Sequence, residues 1–280
     1  MMDWRRLARL TGLLIAGLLL FMALVYLFFP VGRINSVITR QLDSAGLTLS
    51  PAAHKTFIPG LAWKNMLLSS PQGALVSSDR LSVQLLLAPL VTGRVRLGAE
   101  ARIRGGHINL EYGVTGSDVL QVNAEGIDLA DIPFFATILS AKARGGLWID
   151  GSVQRGKQGL KGELKLEVKQ LGFSGVKLGA FPLPDAENLR TQGMIRVSDG
   201  KVRLESFTLQ GEGLYMRLSG DLPGGTAAMT APINLVLEIM PKPEFLEKQK
   251  LVFLLLTKFV VSPGIYRVPI TGTLLKPVIL

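Results

Sequence analysis

Few residues in this chain have the chemistry to act on a substrate, and they are scattered. The segment GSVQRGKQ, residues 151–158, opens like a phosphate-binding loop, Gly-x4-Gly-Lys. In such a loop backbone N–H groups cradle phosphates, the lysine reaches them, and a Ser or Thr hydroxyl at the eighth position ligates magnesium. Here the eighth position is Gln158, which has no hydroxyl. The segment also lies between two alternating patterns, with no following helix whose N-terminus could hold an anion. It reads as a hairpin turn over Arg155–Gly159. His54 and His107 are the only histidines, and they fall in different strand patterns. A metal centre needs three or four converging ligands, and cysteine is absent. The segment GFSG, residues 172–175, approaches a Gly-x-Ser-x-Gly nucleophile elbow but lacks its spacer. Glu163 and Glu167 share a strand face with Lys165 and Lys169, which describes a solvated surface and not an acid–base pair. No catalytic, cofactor-binding or metal-ligating residue is therefore nominated, and the chain is expected not to be an enzyme.

The elements around these residues tell more. The chain has 280 residues, 48% hydrophobic, with 31 Gly and a formal net charge of +10. A basic surface attracts nucleic acid, anionic headgroups or acidic partners. No run of five or more basic residues occurs, which argues against a nucleic-acid arm. The stretch LTGLLIAGLLLFMALVYLFF, residues 10–29, carries no charge. About 20 such residues span the hydrocarbon core of a bilayer as a helix, and Pro30 would stop it. Arg5, Arg6 and Arg9 precede the run, so the N-terminus should stay in the cytoplasm. The run is longer than a signal-peptide core and no small-x-small cleavage site follows. The expected organisation is a basic leader (1–9), a single transmembrane helix (10–29) and a domain over 30–280 on the far side, with possible halves 30–140 and 141–280.

After the apolar run, Ile34, Val37, Ile38 and Leu42 share one face of a 3.6-residue period, and Gly46 suits the helix C-cap. From Leu47 the period becomes two. Leu164, Leu166 and Val168 alternate with Glu163, Lys165, Glu167 and Lys169, and Val202 and Leu204 alternate with Lys201, Arg203 and Glu205. Ile233, Leu235, Leu237 and Ile239 oppose Asn234, Val236 and Glu238. Asp199-Gly200 is a strong hairpin signal. A short helix or crossover is expected within residues 129–146, ending at Gly145-Gly146. Residues 243–261 read either as a helix of about four turns or, over 251–256, as a buried strand. The expected fold is mainly β: a long, curved, mostly antiparallel sheet or open half-barrel, with few helices. Its apolar trough could hold acyl chains, pack on a partner or be filled by its own side chains.

Several turn and strand residues also carry a resemblance. Phe57, Pro59-Gly60, Asn65, Pro71-Gln72-Gly73 and Pro89-Leu90-Val91-Thr92-Gly93, with the closing VPITGTLLKPVIL, resemble the amino-terminal unit and the last strands of AsmA-like proteins. With its length and the segment FPLPDAENLRTQGMIRVSDGKVRLESFTLQGEGLYMRLSGDL, the chain is similar to the type II secretion system protein N family. That resemblance implies a non-catalytic accessory component of type II protein secretion in the Gram-negative inner membrane, with its β-domain in the periplasm and other secretion subunits as partners. An alternative function is AsmA-like lipid binding or lipid transfer in envelope assembly. No cofactor is implied.

Overall fold

The computed structural model describes residues 31–279, apart from 57, 58, 158, 180 and 225–228, together with residues 12, 16, 17 and 20. The basic leader, nearly all of the apolar run 10–29, Phe57 and Gln158 lie outside the described residues. Among the described residues no helix is long and apolar enough to cross a membrane.

The chain opens with helix α1 (Val31–Ser44) and continues as strands β1 (Thr48–Ser50), β2 (His54–Lys55), β3 (Gly60–Ser70) and β4 (Gly73–Leu85). A one-turn helix α2 (Leu87–Leu90) leads to β5 (Arg96–Ile103), β6 (Gly106–Gly113) and β7 (Asp118–Asp128). Helix α3 (Phe134–Leu139) then precedes β8 (Lys142–Gly156), β9 (Gly159–Ser174) and a small hairpin, β10 (Lys177–Leu178) and β11 (Phe181–Pro182). The second half holds β12 (Ala186–Ser198), β13 (Lys201–Gly211), β14 (Leu214–Leu222) and β15 (Asn234–Pro241). Helices α4 (Pro243–Lys248) and α5 (Lys250–Leu255) and strands β16 (Val260–Ser262), β17 (Ile265–Thr273) and β18 (Lys276–Ile279) complete it. Sixteen of these strands form one antiparallel sheet in the order β1-β3-β4-β5-β6-β7-β8-β9-β12-β13-β14-β15-β17-β16, with β2 beside β3 and β18 beside β17. The sheet is continuous across residue 140.

Register turns local alternation into a single apolar layer. Starting at Leu61, cross-strand partners run Val83, Ala99, Leu110, Val122, Gly151 and Leu164, then Ile195, Leu204, Gly220, Leu235, Ile270 and Ile279. No polar side chain interrupts the row. A parallel row on the opposite face runs Glu111, Gln121, Ser152, Glu163, Arg196, Arg203, Asp221 and Asn234. Arg196–Glu163 and Arg203–Asp221 form ion pairs there, each at 3.2 Å. At Gly220 (φ 140°) an added Cβ would lie 2.2 Å from the Asn234 carbonyl oxygen, so only glycine lets the strands approach this closely.

The face bearing the apolar row carries the core. Val76 of β4, Ile103, Ile108, Ala124 and Ile127 of the next three strands, and Leu147 and Ile149 of β8 share one cluster with Ile132. In a flat sheet β4 and β8 would stand about 19 Å apart. Here the short helix α3 bridges them, its Thr137 hydroxyl donating to the Ala74 carbonyl at 2.6 Å. In the second half, strands β9 to β15, β17 and β18 contribute to one cluster that includes Phe253, Leu256 and Phe259.

The amphipathic helix forms as its spacing predicts. Val31, Ile34 and Ile38 pack on Leu61, Trp63 and Met66. Gly46 (φ 69°) ends it, while Leu47 N–H bonds the Leu42 carbonyl and Gly46 N–H that of Asp43, a Schellman closure. Val37, expected on the packed face, is exposed instead. The Asp199-Gly200 hairpin is also present, with φ of 52° and 79° and Ser198 paired to Lys201. Gly145-Gly146 does not end a helix: α3 stops at Ser140 in the left-handed region, and the glycines lie inside β8 at a ladder irregularity. Residues 243–261 form not one helix but two, broken at Gln249, followed by a 3-10 turn over Thr257–Phe259 and by β16.

Strict alternation fails usefully in β3. It would put Trp63 and Met66 on opposite faces, yet both belong to the cluster under α1. Asn65 between them has φ 50°, and this twist re-aims the strand. A non-glycine residue is costly in that region, least so for Asn and most for β-branched side chains. Asn65→Val is expected to lower unfolding free energy by about 1–2 kcal/mol, and Asn65→Gly to leave it near wild type. Chemical denaturation of the detergent-solubilised chain, with both variants side by side, checks this.

Candidate interaction surface

The residues singled out for chemistry do not converge. His54 sits on short edge strand β2, and His107 on the outer polar face of β6 opposite Glu125; both are exposed. Gly156 pairs with Gly159, so the phosphate-loop look-alike is the β8–β9 hairpin. Gly172–Gly175 ends β9, where the Gly175 N–H donates to the Asp185 carboxylate at 2.7 Å. Glu163 and Lys165 are exposed on the polar face, with Glu163 paired to Arg196. Among the described residues no three potential ligands gather where a metal could bind.

Two surfaces stand out instead. The polar face holds a depression of about 440 Å³ lined by Asn109, Glu111, Gln121, Asn123, Asp150, Ser152, Glu163 and Lys165. Its members come from four neighbouring strands, so no linear motif announces it. It is open and carries both signs of charge, the character of a hydrated surface. The other is the apolar face. Helix α1 covers it at one margin, and α4 and α5 cover it over the last strands. Between them Leu97, Leu110, Leu120, Leu164, Leu166 and Ile195 are only half-buried, and Tyr112 is 43% exposed.

The two ends of this trough differ. Three connections with secondary structure of their own lie at one end: residues 129–141 between β7 and β8, 175–185 between β9 and β12, and 242–259 between β15 and β16. These segments plug that end. Phe181 and Phe259 meet edge-to-face at 6.0 Å, with Lys258 Nζ 4.6 Å from the Phe181 ring centre. Phe245 and Phe253 meet edge-to-face at 6.2 Å, and Phe253 lies against Tyr266 at 5.2 Å. Gln249 clamps the plug: its Nε2 donates to the Asp185 carbonyl at 2.7 Å and its Oε1 accepts from the Asp185 N–H at 2.9 Å. This contact accompanies the break between α4 and α5. The opposite end carries the loop 86–95, the loop 223–233 and tight hairpin turns.

Six consecutive apolar residues, Leu251–Leu256, cannot all face the sheet once they are helical. Phe253 and Leu256 turn inward and are buried. Leu251, Leu254 and Leu255 turn outward, 80%, 64% and 53% exposed, and Val261 of β16 is exposed nearby in sequence. The spacing i, i+3, i+4 puts the three leucines on one helical face. Apolar patches of this kind mark contact sites more often than chance. The signal was present in the sequence as the run LVFLLL, but only the helix decides which leucines remain outside.

The chain matches no protein-family model, and no curated protein and no solved structure matches it.

Removing the clamp should loosen the plug without unfolding the sheet. Gln249→Ala is expected to cost about 1–2 kcal/mol and to raise amide exchange across 243–259 more than in β12–β15. Hydrogen-exchange mass spectrometry reads both regions at once; uniform acceleration would show that the plug is not a separate unit.

Proposed function

We propose that the chain is an inner-membrane-anchored periplasmic accessory component of type II protein secretion, non-catalytic and acting through protein contacts. In this reading residues 10–29 span the membrane, and the curved sheet is an AsmA-like open half-barrel. The resemblance in its turn and strand residues supplies the secretion context. The observation that carries contact as the mode of action is the outward leucine face of α5, an uncovered apolar surface at the plugged end. Burying one such leucine against a partner is worth about 1.5–3 kcal/mol, so three on one face suffice for a specific, reversible contact. Leu251→Glu combined with Leu254→Glu leaves the inward Phe253 and Leu256 in place. The double variant is expected to accumulate at wild-type levels while exoproteins build up in the periplasm, as immunoblots of culture medium and periplasm will show. Undiminished secretion by a well-expressed double variant would reject the contact.

A second reading is favoured by a different observation, the unbroken apolar row with its half-buried central stretch. Such a lining is able to shield acyl chains, as a lipid-binding or lipid-transfer protein of envelope assembly requires. A charge in the row should then evict them. Native mass spectrometry of the purified chain is expected to detect bound phospholipid, and Leu110→Glu to remove it with the fold intact. A chain free of lipid before substitution excludes this reading and leaves the first untouched.

A further inference from the structure

The unplugged end of the trough carries a continuous rim. Val95 N–H donates to the Thr115 hydroxyl at 2.8 Å and the Val114 N–H to the Val95 carbonyl at 2.9 Å, which ties the loop after α2 to the β6–β7 turn. The Arg155 N–H donates to the Ser117 carbonyl, joining that turn to the end of β8. An added Cβ on Gly159 would lie 3.2 Å from Asp199 Cα, so the β8–β9 and β12–β13 turns also touch. Two turns of this rim share the sequence Val-Thr-Gly, at 91–93 and 114–116, each with a positive-φ glycine (71° and 98°). Each lifts its valine outward: Val91 is 88% exposed and Val114 47%. Exposed Arg94, Arg155, Lys157 and Lys201 lie on the turns at this end, with the exposed acids Asp199 and Asp221 at the β12–β13 turn, and none of these four bases forms an ion pair with a described residue.

The chain's own course says what this rim faces. Helix α1 runs from the rim end toward the plugged end. Its C-terminus leads into Thr48 beside Ser69, whereas nearer its N-terminus Asn35 Nδ2 donates to the Ala53 carbonyl beside β2. Only Pro30 separates Val31 from the uncharged run 10–29. On the anchoring reading above, in which residues 10–29 span the membrane, the rim end is the end that faces the bilayer. Apolar tips among unpaired cations are the composition that enters an anionic interface, the bases drawn to the negative surface and the valines reaching past the headgroups.

We propose that this rim is a second membrane contact, in which Val91 and Val114 insert among anionic phospholipid headgroups while Arg94, Arg155 and Lys157 bind their phosphates. It rests on the anchoring part of the reading above and is independent of which partner or ligand the domain serves. It would hold the trough upright, with its open end against the bilayer and its leucine patch directed away.

The chain has no cysteine, so single-cysteine variants of the full chain can carry an environment-sensitive fluorophore. Val91→Cys and Val114→Cys report the rim, and Lys177→Cys, on exposed β10, reports the plugged end. The labelled chains are reconstituted in phosphatidylethanolamine vesicles with or without phosphatidylglycerol, each also prepared with nitroxide-bearing lipid. With phosphatidylglycerol, labels at 91 and 114 are expected to shift to the blue and be quenched several-fold more by the nitroxide than the label at 177. Arg94→Glu with Lys157→Glu should abolish that quenching while the chain stays in the vesicle fraction. Labels at 91 and 114 as open to aqueous iodide as the label at 177 would overturn the proposal. So would lipid quenching at 177 in place of the rim. Secretion is not read in this assay, so either result leaves the leucine-patch contact to its own test.

Discussion

In an antiparallel ladder each strand takes its register from the one before, and a slip of one residue exchanges the two faces of every strand that follows. The row from Leu61 to Ile279 shows how far that constraint reaches. Everything else in the domain leans on it: the inner face can be apolar throughout only because no slip goes uncorrected, and the outer face can be charged for the same reason. Alternating side chains supply most of the correction. A misregistered strand would bring residues such as Lys165 and Glu163 into the trough without partners, at several kcal/mol for each buried charge.

Where the local sequence departs from alternation, the backbone restores the phase. Asn65 does so in β3. In β13 the ladder skips Glu205, so that Leu204 and Phe207 remain on the apolar side although they are three positions apart. In β12 the ladder to β9 is interrupted between Leu189 and Gly193. There the buried Thr191 hydroxyl accepts from the Val168 N–H at 2.6 Å and lies 3.2 Å from its carbonyl oxygen, standing in for the missing backbone partner. The margins are managed too. Each edge is divided into two short strands, β1 and β2 at one side and β16 and β18 at the other, and Pro277 in β18 has no N–H to offer a neighbouring chain.

The same architecture separates two kinds of surface. One end carries the loops 86–95 and 223–233, hairpin turns and a basic, valine-tipped rim. Long connections at the other end fold back as helices and fill it, which forces surplus leucines outward. A chain with no converging ionisable groups thus still has direction, with one end suited to a charged interface and the other to an apolar partner. Both functional readings draw on this polarity, and they differ in whether the trough between the ends is a lining or a core.

Composition and periodicity alone determined that the chain is mainly β, that its strands have two faces, that α1 is amphipathic and ends at Gly46, and that Asp199-Gly200 turns a hairpin. These follow from contacts between near neighbours, which local sequence encodes. The strand order of the sheet, the plug, the clamp between Gln249 and Asp185, and the rim joining Val95, Thr115 and Arg155 were decided only by the tertiary structure. Each joins residues whose meeting depends on the accumulated bend and register of many strands, a sum that no short stretch contains. The break at Gln249 is the clearest case, since 243–261 carries an apolar helical pattern through a position that a distant backbone claims. The outward leucines lie between the two: their surplus is visible in LVFLLL, but their direction is fixed by the sheet they cover.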